Sequence, residues 1–230
     1  CESFVDDSVL SKIFSDDRKY LICETCHSSV TSIQSKIYRP DRFVMVSKWI
    51  DQKFSSLGVP SEILEYPIED LIADKTETMR SLDMDPNHKH IVNIELFTPG
   101  KNQGEIFEYA RETLKRELPI KYHFVGNTAD NFKDYWGPLL ENKPDNCFIW
   151  GERNDVDSFY QAADLFLFTS NSELNPLSIK EALSWKIPSV FKRLDTYLDT
   201  YDDVNNVFYI TNNRDTNLSL ILNILNPEWK

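Results

Sequence analysis

Short apolar runs alternate with amphipathic stretches along most of the chain. The runs at 20–24, 43–47, 62–66, 91–94, 121–125, 147–150, 165–168, 189–191 and 207–210 are mostly continuous, as strands covered on both faces should be. Between them, 104–118 sets Ile106, Phe107, Ala110 and Leu114 on one helical face, and 156–163, 177–185 and 217–225 read as helices too. This alternation predicts right-handed crossovers and an α/β fold of parallel, doubly wound sheets. The stretch 67–87 breaks the pattern. It is acidic, bears Pro67 and Pro86 and has no strand-like run, so it predicts a linker carrying a short helix around 73–82. Two unequal pieces result. Residues 86–230 hold six strand-like runs, enough for a complete Rossmann-like domain. Residues 1–85, with the linker from about 67, hold only three and predict a partial one.

Composition narrows the partners. With 230 residues, 41% of them apolar, the chain can bury one large core or two small ones. A formal charge of -12 argues against a nucleic-acid surface and against anionic lipid. No apolar run has the length of a transmembrane helix, and no charged-then-apolar signal opens the chain. The chain opens on Cys1 rather than Met, which predicts a domain of a longer protein or a processed product.

Cysteines at 1, 23, 26 and 147 form no regular disulfide framework, so a reducing, cytoplasmic setting is expected. Cys23-Glu24-Thr25-Cys26-His27 spells C-x-x-C-H. Haem attachment needs export, and zinc needs two further ligands, whereas His88, His90 and His123 show no paired spacing. Neither haem nor metal is expected. The run 20–24 reads as a buried strand, with Cys23 a small core residue.

The most informative stretch is Ser-Glu-Leu-Asn-Pro-Leu-Ser-Ile-Lys-Glu-Ala-Leu at 172–183. It follows the apolar run at 165–168 and places Glu173 and Glu181 at the two ends of a strand-to-helix junction. Asn175 suits the N-cap and Pro176 the first helical position, which starts a helix near Leu177. The unpaired N–H groups of such a start, together with the helix dipole, favour an anion, commonly a phosphate. The spacing Glu, seven residues, Glu, then Ala-Leu and Pro188 resembles the hallmark of retaining glycosyltransferases of the GT-B fold, family GT4. Residues 86–225 follow that family's C-terminal donor domain.

The resemblance implies a second, complete nucleotide-sugar-binding domain preceded by part of an N-terminal, acceptor-side domain. It implies that Glu173 contacts the donor sugar and Glu181 the ribose. After Ile94, Lys101 stands in the place of the diphosphate-binding lysine, beside Asn102. Gly100 and Gly104 leave room for a phosphate. The family's second cation, an Arg about five residues earlier, is replaced here by Leu96 or Glu95; Arg153 or Lys48 would have to substitute. Gly126 ends one further strand with a tight glycine, and the loop of Trp150, Gly151 and Arg153 ends another; against the latter loop the family holds the nucleobase through backbone groups. Trp150 reads equally as plain core. Asn175, Leu177 and Ser178 would complete the donor site, with Pro176 offering no N–H. His27 matches a histidine near the donor sugar in the family, and reads almost equally as a surface residue. Asp155-Val156-Asp157 imitates the metal motif of the GT-A fold, but its place before a helix favours N-capping; Asp83-Met84-Asp85 is weaker still.

The expected activity is transfer of a sugar from a UDP- or GDP-sugar, with retention and without metal or cofactor, to an unknown glycan, lipid or protein acceptor. A non-catalytic nucleotide-sugar-binding module and a GT-B-like nucleotide-sugar epimerase remain alternatives. The incomplete front half predicts little transfer by this chain alone and an exposed strand edge that promotes a homodimer or needs neighbouring residues.

Overall fold

The computed structural model describes residues 5–27, 32–33, 36–197 and 200–229. They form two compact units. The first takes residues up to Tyr66 with Glu173–Asn175 and Asp195–Tyr197, and the second takes the rest.

In the first unit, α1 (Asp7–Ile13), β1 (Cys23–Cys26), β2 (Arg42–Met45), α2 (Lys48–Phe54) and β3 (Ser61–Ile63) follow one another. The three strands are parallel, in the order β1-β2-β3. Phe43, Met45, Ile50 and Phe54 form its core together with Leu174. Both helices open on side-chain caps: Asp6 accepts from the Ser8 N–H and Ser47 from the Ile50 N–H, satisfying donors that the first helical turn leaves unpaired. The expected strand at 20–24 is shifted. Tyr20 and Leu21 are 53% and 81% exposed, Cys23 is exposed, and the buried thiol is Cys26. The chain before β1 is fastened by side chains instead: the Ile22 N–H donates to the Asp41 carboxylate at 2.8 Å, which also takes Arg18 at 2.6 Å.

The second unit comprises α3 (Lys75–Ser81), β4 (Lys89–Ile94), α4 (Gln103–Lys115), β5 (Ile120–Val125), α5 (Lys133–Glu141), β6 (Cys147–Gly151), α6 (Val156–Ala162), β7 (Leu165–Phe168), α7 (Leu177–Ser184), β8 (Ser189–Lys192), β9 (Val207–Ile210) and α8 (Arg214–Leu225). All six strands are parallel, in the order β6-β5-β4-β7-β8-β9. The chain runs outward from β4 to β6, returns to lay β7 against β4, and runs outward again. The reversal between β4 and β7 is the switch point where doubly wound sheets bind ligands, beyond the carboxyl ends of the strands.

Burial explains why these runs read as they do. Every residue of β7 is buried, so no polar alternation interrupts it. On α4 the face that packs is Gln103, Ile106, Phe107, Tyr109, Ala110 and Thr113. Leu114, expected on that face, is 42% exposed, because Thr113 takes the inward position and bonds Asn146 and Tyr122 at 3.3 Å each. The stretch expected to be a linker packs with the second unit. Met79, Leu82 and Met84 are buried, Lys75 pairs with Asp164 at 2.8 Å, and the Leu71 N–H reaches the Ser184 carbonyl at 3.1 Å.

Candidate active site

The loops that follow β4 and β7 are tied together by polar contacts. The Thr169 hydroxyl lies 3.2 Å from the Lys101 carbonyl and 3.0 Å from that of Asn102. Ser170 Oγ and the Asn171 N–H both donate to the Gly100 carbonyl, at 3.2 and 2.8 Å. Below, fully buried Phe97 anchors the first loop, and Gln103 donates to the Leu96 carbonyl at 3.0 Å. Asn102 precedes α4 in a left-handed conformation, φ 56°, and spends its amide on Glu105 at 2.8 Å rather than capping the helix.

The ends of β4, β5 and β6 are equally tight. The Glu95 N–H donates to the Val125 carbonyl at 2.9 Å, and the Gly126 N–H to that of Gly151 at 2.8 Å. Gly126 has φ 146°, and a Cβ there would lie 1.9 Å from the Glu95 carbonyl oxygen. Only glycine lets these two segments approach so closely.

Lys101 stands over this platform. Its ammonium lies 3.2 Å from Glu95 Oε1 and 5.5 Å from the centre of the Phe168 ring. The Glu95 side chain is 1% exposed and that of Lys101 26%, so the pair is a buried anion beneath a half-buried cation. Glu95 Oε2 accepts from the Asn93 amide at 2.9 Å. Neither Asn93 nor the Glu95–Lys101 pair was anticipated from the chain. The signal was present in the spacing, since residues two apart in a strand share one face.

At the start of α7 the N-cap position is Pro176, with no side-chain cap. Asn175, expected in that role, instead donates its amide to the Val46 carbonyl at 2.6 Å. Leu177 is the first helical residue, and neither Leu177 nor Ser178 is buried. Glu181, one turn on, is exposed and takes the hydroxyl of buried Tyr160 at 2.9 Å. Burial, with the Glu181 charge behind it, raises the Tyr160 pKa well above that of a free phenol. The tyrosine therefore stays a hydrogen-bond donor that orients the carboxylate.

The remaining candidates are placed differently. Trp150 occupies the irregular step between β5 and β6, where Phe124 pairs with Ile149 but Val125 with Gly151. Its indole N–H lies 3.1 Å from His123 Nδ1, and its ring packs edge-on against Phe159 at 5.0 Å. Gly151 follows with φ 68° and open space around it. Arg153 is engaged by both oxygens of Asp155, at 2.8 and 2.7 Å. That contact also displaces the expected cap: Asp155 is the N-cap residue of α6 but makes no side-chain capping bond. Asp157, the other carboxylate of that motif, accepts from the Trp185 indole at 3.2 Å.

Glu173 and Asn175 group with the first unit, where the half-buried Glu173 accepts the Thr196 hydroxyl at its carbonyl. His27 is exposed, directly after β1. Among the described residues no three His, Cys, Asp or Glu side chains are grouped so as to hold a metal. No described helix is long and apolar enough to cross a membrane.

A doubly wound six-stranded parallel sheet following a second, smaller parallel sheet is the architecture of the GT-B fold. The chain belongs to the family described as Glycosyl transferases group 1, which matches residues 74–226. It is similar to the alpha-galactosylglucosyldiacylglycerol synthase of Streptococcus pneumoniae (strain ATCC BAA-255 / R6), 25% identical over 175 residues, 69% of this chain and 46% of that protein. The chain thus spans about half the length of this curated relative. Among solved structures it superposes on Anabaena HepE in complex with UDP and glucose with a TM-score of 0.72 and 17% identity, over 87% of this chain and 60% of that one. It superposes on sucrose-phosphate synthase from Thermosynechococcus elongatus with a TM-score of 0.75 and 13% identity, over 96% of this chain and 63% of that one. Likenesses at such identities carry the fold.

Proposed function

We propose that this chain is the donor-binding part of a retaining glycosyltransferase of the GT4 type, acting on a nucleotide-sugar without a metal. The observation that carries this reading is the Lys101 platform, with its loop bonded to the loop after β7 in a chain of this family.

Departure of a nucleoside diphosphate from an anomeric carbon builds negative charge on phosphate and positive character on the sugar ring. Lys101 would meet the first charge as a compact cation. The N–H groups of Leu177 and Ser178 would add the positive end of α7. Gly126 lets the end of β5 close against Glu95 beside the seat, and Gly151, with open space around it, would meet the nucleobase through its backbone. The Trp150 ring is spent on His123 and Phe159, which favours a supporting role for it. Glu181, oriented by Tyr160, would bind the ribose hydroxyls. Glu173 and His27 would act at the donor sugar, with Asn102 and Asn175 fixing the loops. The related HepE, crystallised with UDP-glucose, makes a UDP-sugar the first donor to try, ahead of a GDP-sugar. The acceptor, a glycan, lipid or protein, and association into a homodimer are left to experiment, and the setting proposed is cytoplasmic.

Thermal shift and titration with UDP, GDP and ADP, and with the matching nucleosides, test this directly, because a ligand of the folded state raises the melting temperature. Lys101→Ala should weaken the diphosphate about tenfold more than the nucleoside, since only the diphosphate carries the charge the lysine meets. Glu181→Ala should weaken both ligands alike. Equal small effects from both substitutions would refute the assignment.

A further inference from the structure

We propose that Glu95 sets the charge of the phosphate seat so that it favours the nucleotide-sugar donor over the free nucleoside diphosphate left by transfer. This deepens the function proposed above and rests on Lys101 facing the diphosphate.

The carboxylate is held through one oxygen and through its backbone. Its Oε2 takes the Asn93 amide at 2.9 Å, and that amide also donates to the Leu167 carbonyl at 2.9 Å, which fixes its plane. Its backbone N–H is bonded to Val125, and its carbonyl is pressed against Gly126. Lys101, a flexible side chain 3.2 Å away, is therefore tethered to a fixed anion. Together the two charges cancel.

Among the described residues, Arg153 and Lys192 are both engaged by carboxylates. Leu96 stands close to where the family has its second cation, and it is 38% exposed. Arg153 is taken by Asp155. Lys192, which reaches Asn171 at 2.7 Å, is paired with Glu105 at 3.1 Å.

The two ligands differ in charge at this point. A nucleotide-sugar carries about two negative charges on its diphosphate. Once the sugar leaves, the terminal phosphate can ionise again with a pKa of about 6, giving about three near neutrality. Each added negative charge meets repulsion from Glu95 that a seat bearing Lys101 alone would lack. The seat is accordingly built to grip the donor without gripping the product as strongly as a cationic seat would. This favours release.

Glu95→Gln in the full 230-residue chain keeps the side chain's length and an acceptor for Lys101 while removing the charge. Titrations would use UDP, GDP and ADP, their nucleosides and their glucose esters. For the base that binds, the substitution should tighten the diphosphate about tenfold, the glucose ester about threefold and the nucleoside not at all. Leu96→Arg adds one positive charge on an exposed side chain without disturbing the buried pair, and should shift the same ratio in the same direction. Equal tightening of diphosphate and glucose ester, or no tightening, in both variants would overturn the role of Glu95, provided Lys101→Ala still weakens the diphosphate selectively. If Lys101→Ala leaves the diphosphate-to-nucleoside ratio unchanged, or no nucleotide binds, the phosphate seat itself is misassigned and the inference falls with it.

Discussion

His123 illustrates what a single residue's surroundings decide. Its Nδ1 receives the Trp150 indole N–H at 3.1 Å, so its own proton sits on Nε2, directed at His90 Nδ1 at 2.9 Å. His90 in turn donates from Nε2 to the Asp85 carbonyl at 2.9 Å. The chain of bonds closes only if both imidazoles are neutral. Burial, reinforced by His90 and Lys121, holds the His123 pKa at about 3, and burial lowers that of His90. In the unfolded chain a histidine ionises near 6.5. Between these values the unfolded state binds a proton that the folded state refuses, so stability falls as pH drops below about 6.5. The loss approaches about 1.4 kcal/mol per pH unit for His123. His123→Gln should flatten this dependence between pH 6.5 and 4, measured as urea midpoints of the second unit; curves that stay parallel would mean the imidazole does not titrate on unfolding. Spacing along the chain gave no hint of the pair, because 33 positions separate the two histidines and only the β4–β5 register brings them together. Lys101, Glu173 and Glu181 are proposed because a short motif marks each of them in the chain. The partners Glu95, Asn93 and Tyr160 were not legible, since they act through contacts made after folding.

At the level of elements, continuous apolar runs marked the strands well, and the helices that failed to show have identifiable causes. On α5, Gly137 and Pro138 interrupt the helical period, although Trp136, Leu139 and Leu140 pack against the core. α1 and α2 are seven residues each and bury little beyond Leu10, or Ile50 and Phe54, too short a stripe for a period to emerge. Tyr20 and Leu21 misled in the opposite sense, being apolar yet exposed. The strand ends were the least legible feature, because what makes them special is backbone proximity. Gly126 and Gly151 separate two effects there. Both have positive φ, but a Cβ meets the Glu95 backbone at Gly126 and open space at Gly151. Gly151→Ala should cost about 1 kcal/mol, the price of a left-handed alanine. Gly126→Ala should cost about 3 kcal/mol or more, because the β4 and β5 ends must also part. Similar losses of melting temperature in the two variants would contradict the close approach.

At the scale of the whole molecule, the parallel, doubly wound sheet of the second unit was legible from the order of runs, whereas its strand order and the switch point between β4 and β7 came with the structure. The grouping of 67–85 with that unit and of Glu173–Asn175 with the first was not legible, since both depend on tertiary packing. The proposed seat of a nucleoside diphosphate lies at the carboxyl ends of β4 to β7. Amide hydrogen exchange with and without the best-binding member of UDP, GDP and ADP tests it most directly. Protection should rise at 95–102, 126–127, 151–153 and 177–179, while 85–89, 116–119 and 142–146, at the opposite end of the same strands, stay unchanged. Protection confined to that opposite end, or none at saturating nucleotide, would contradict the account.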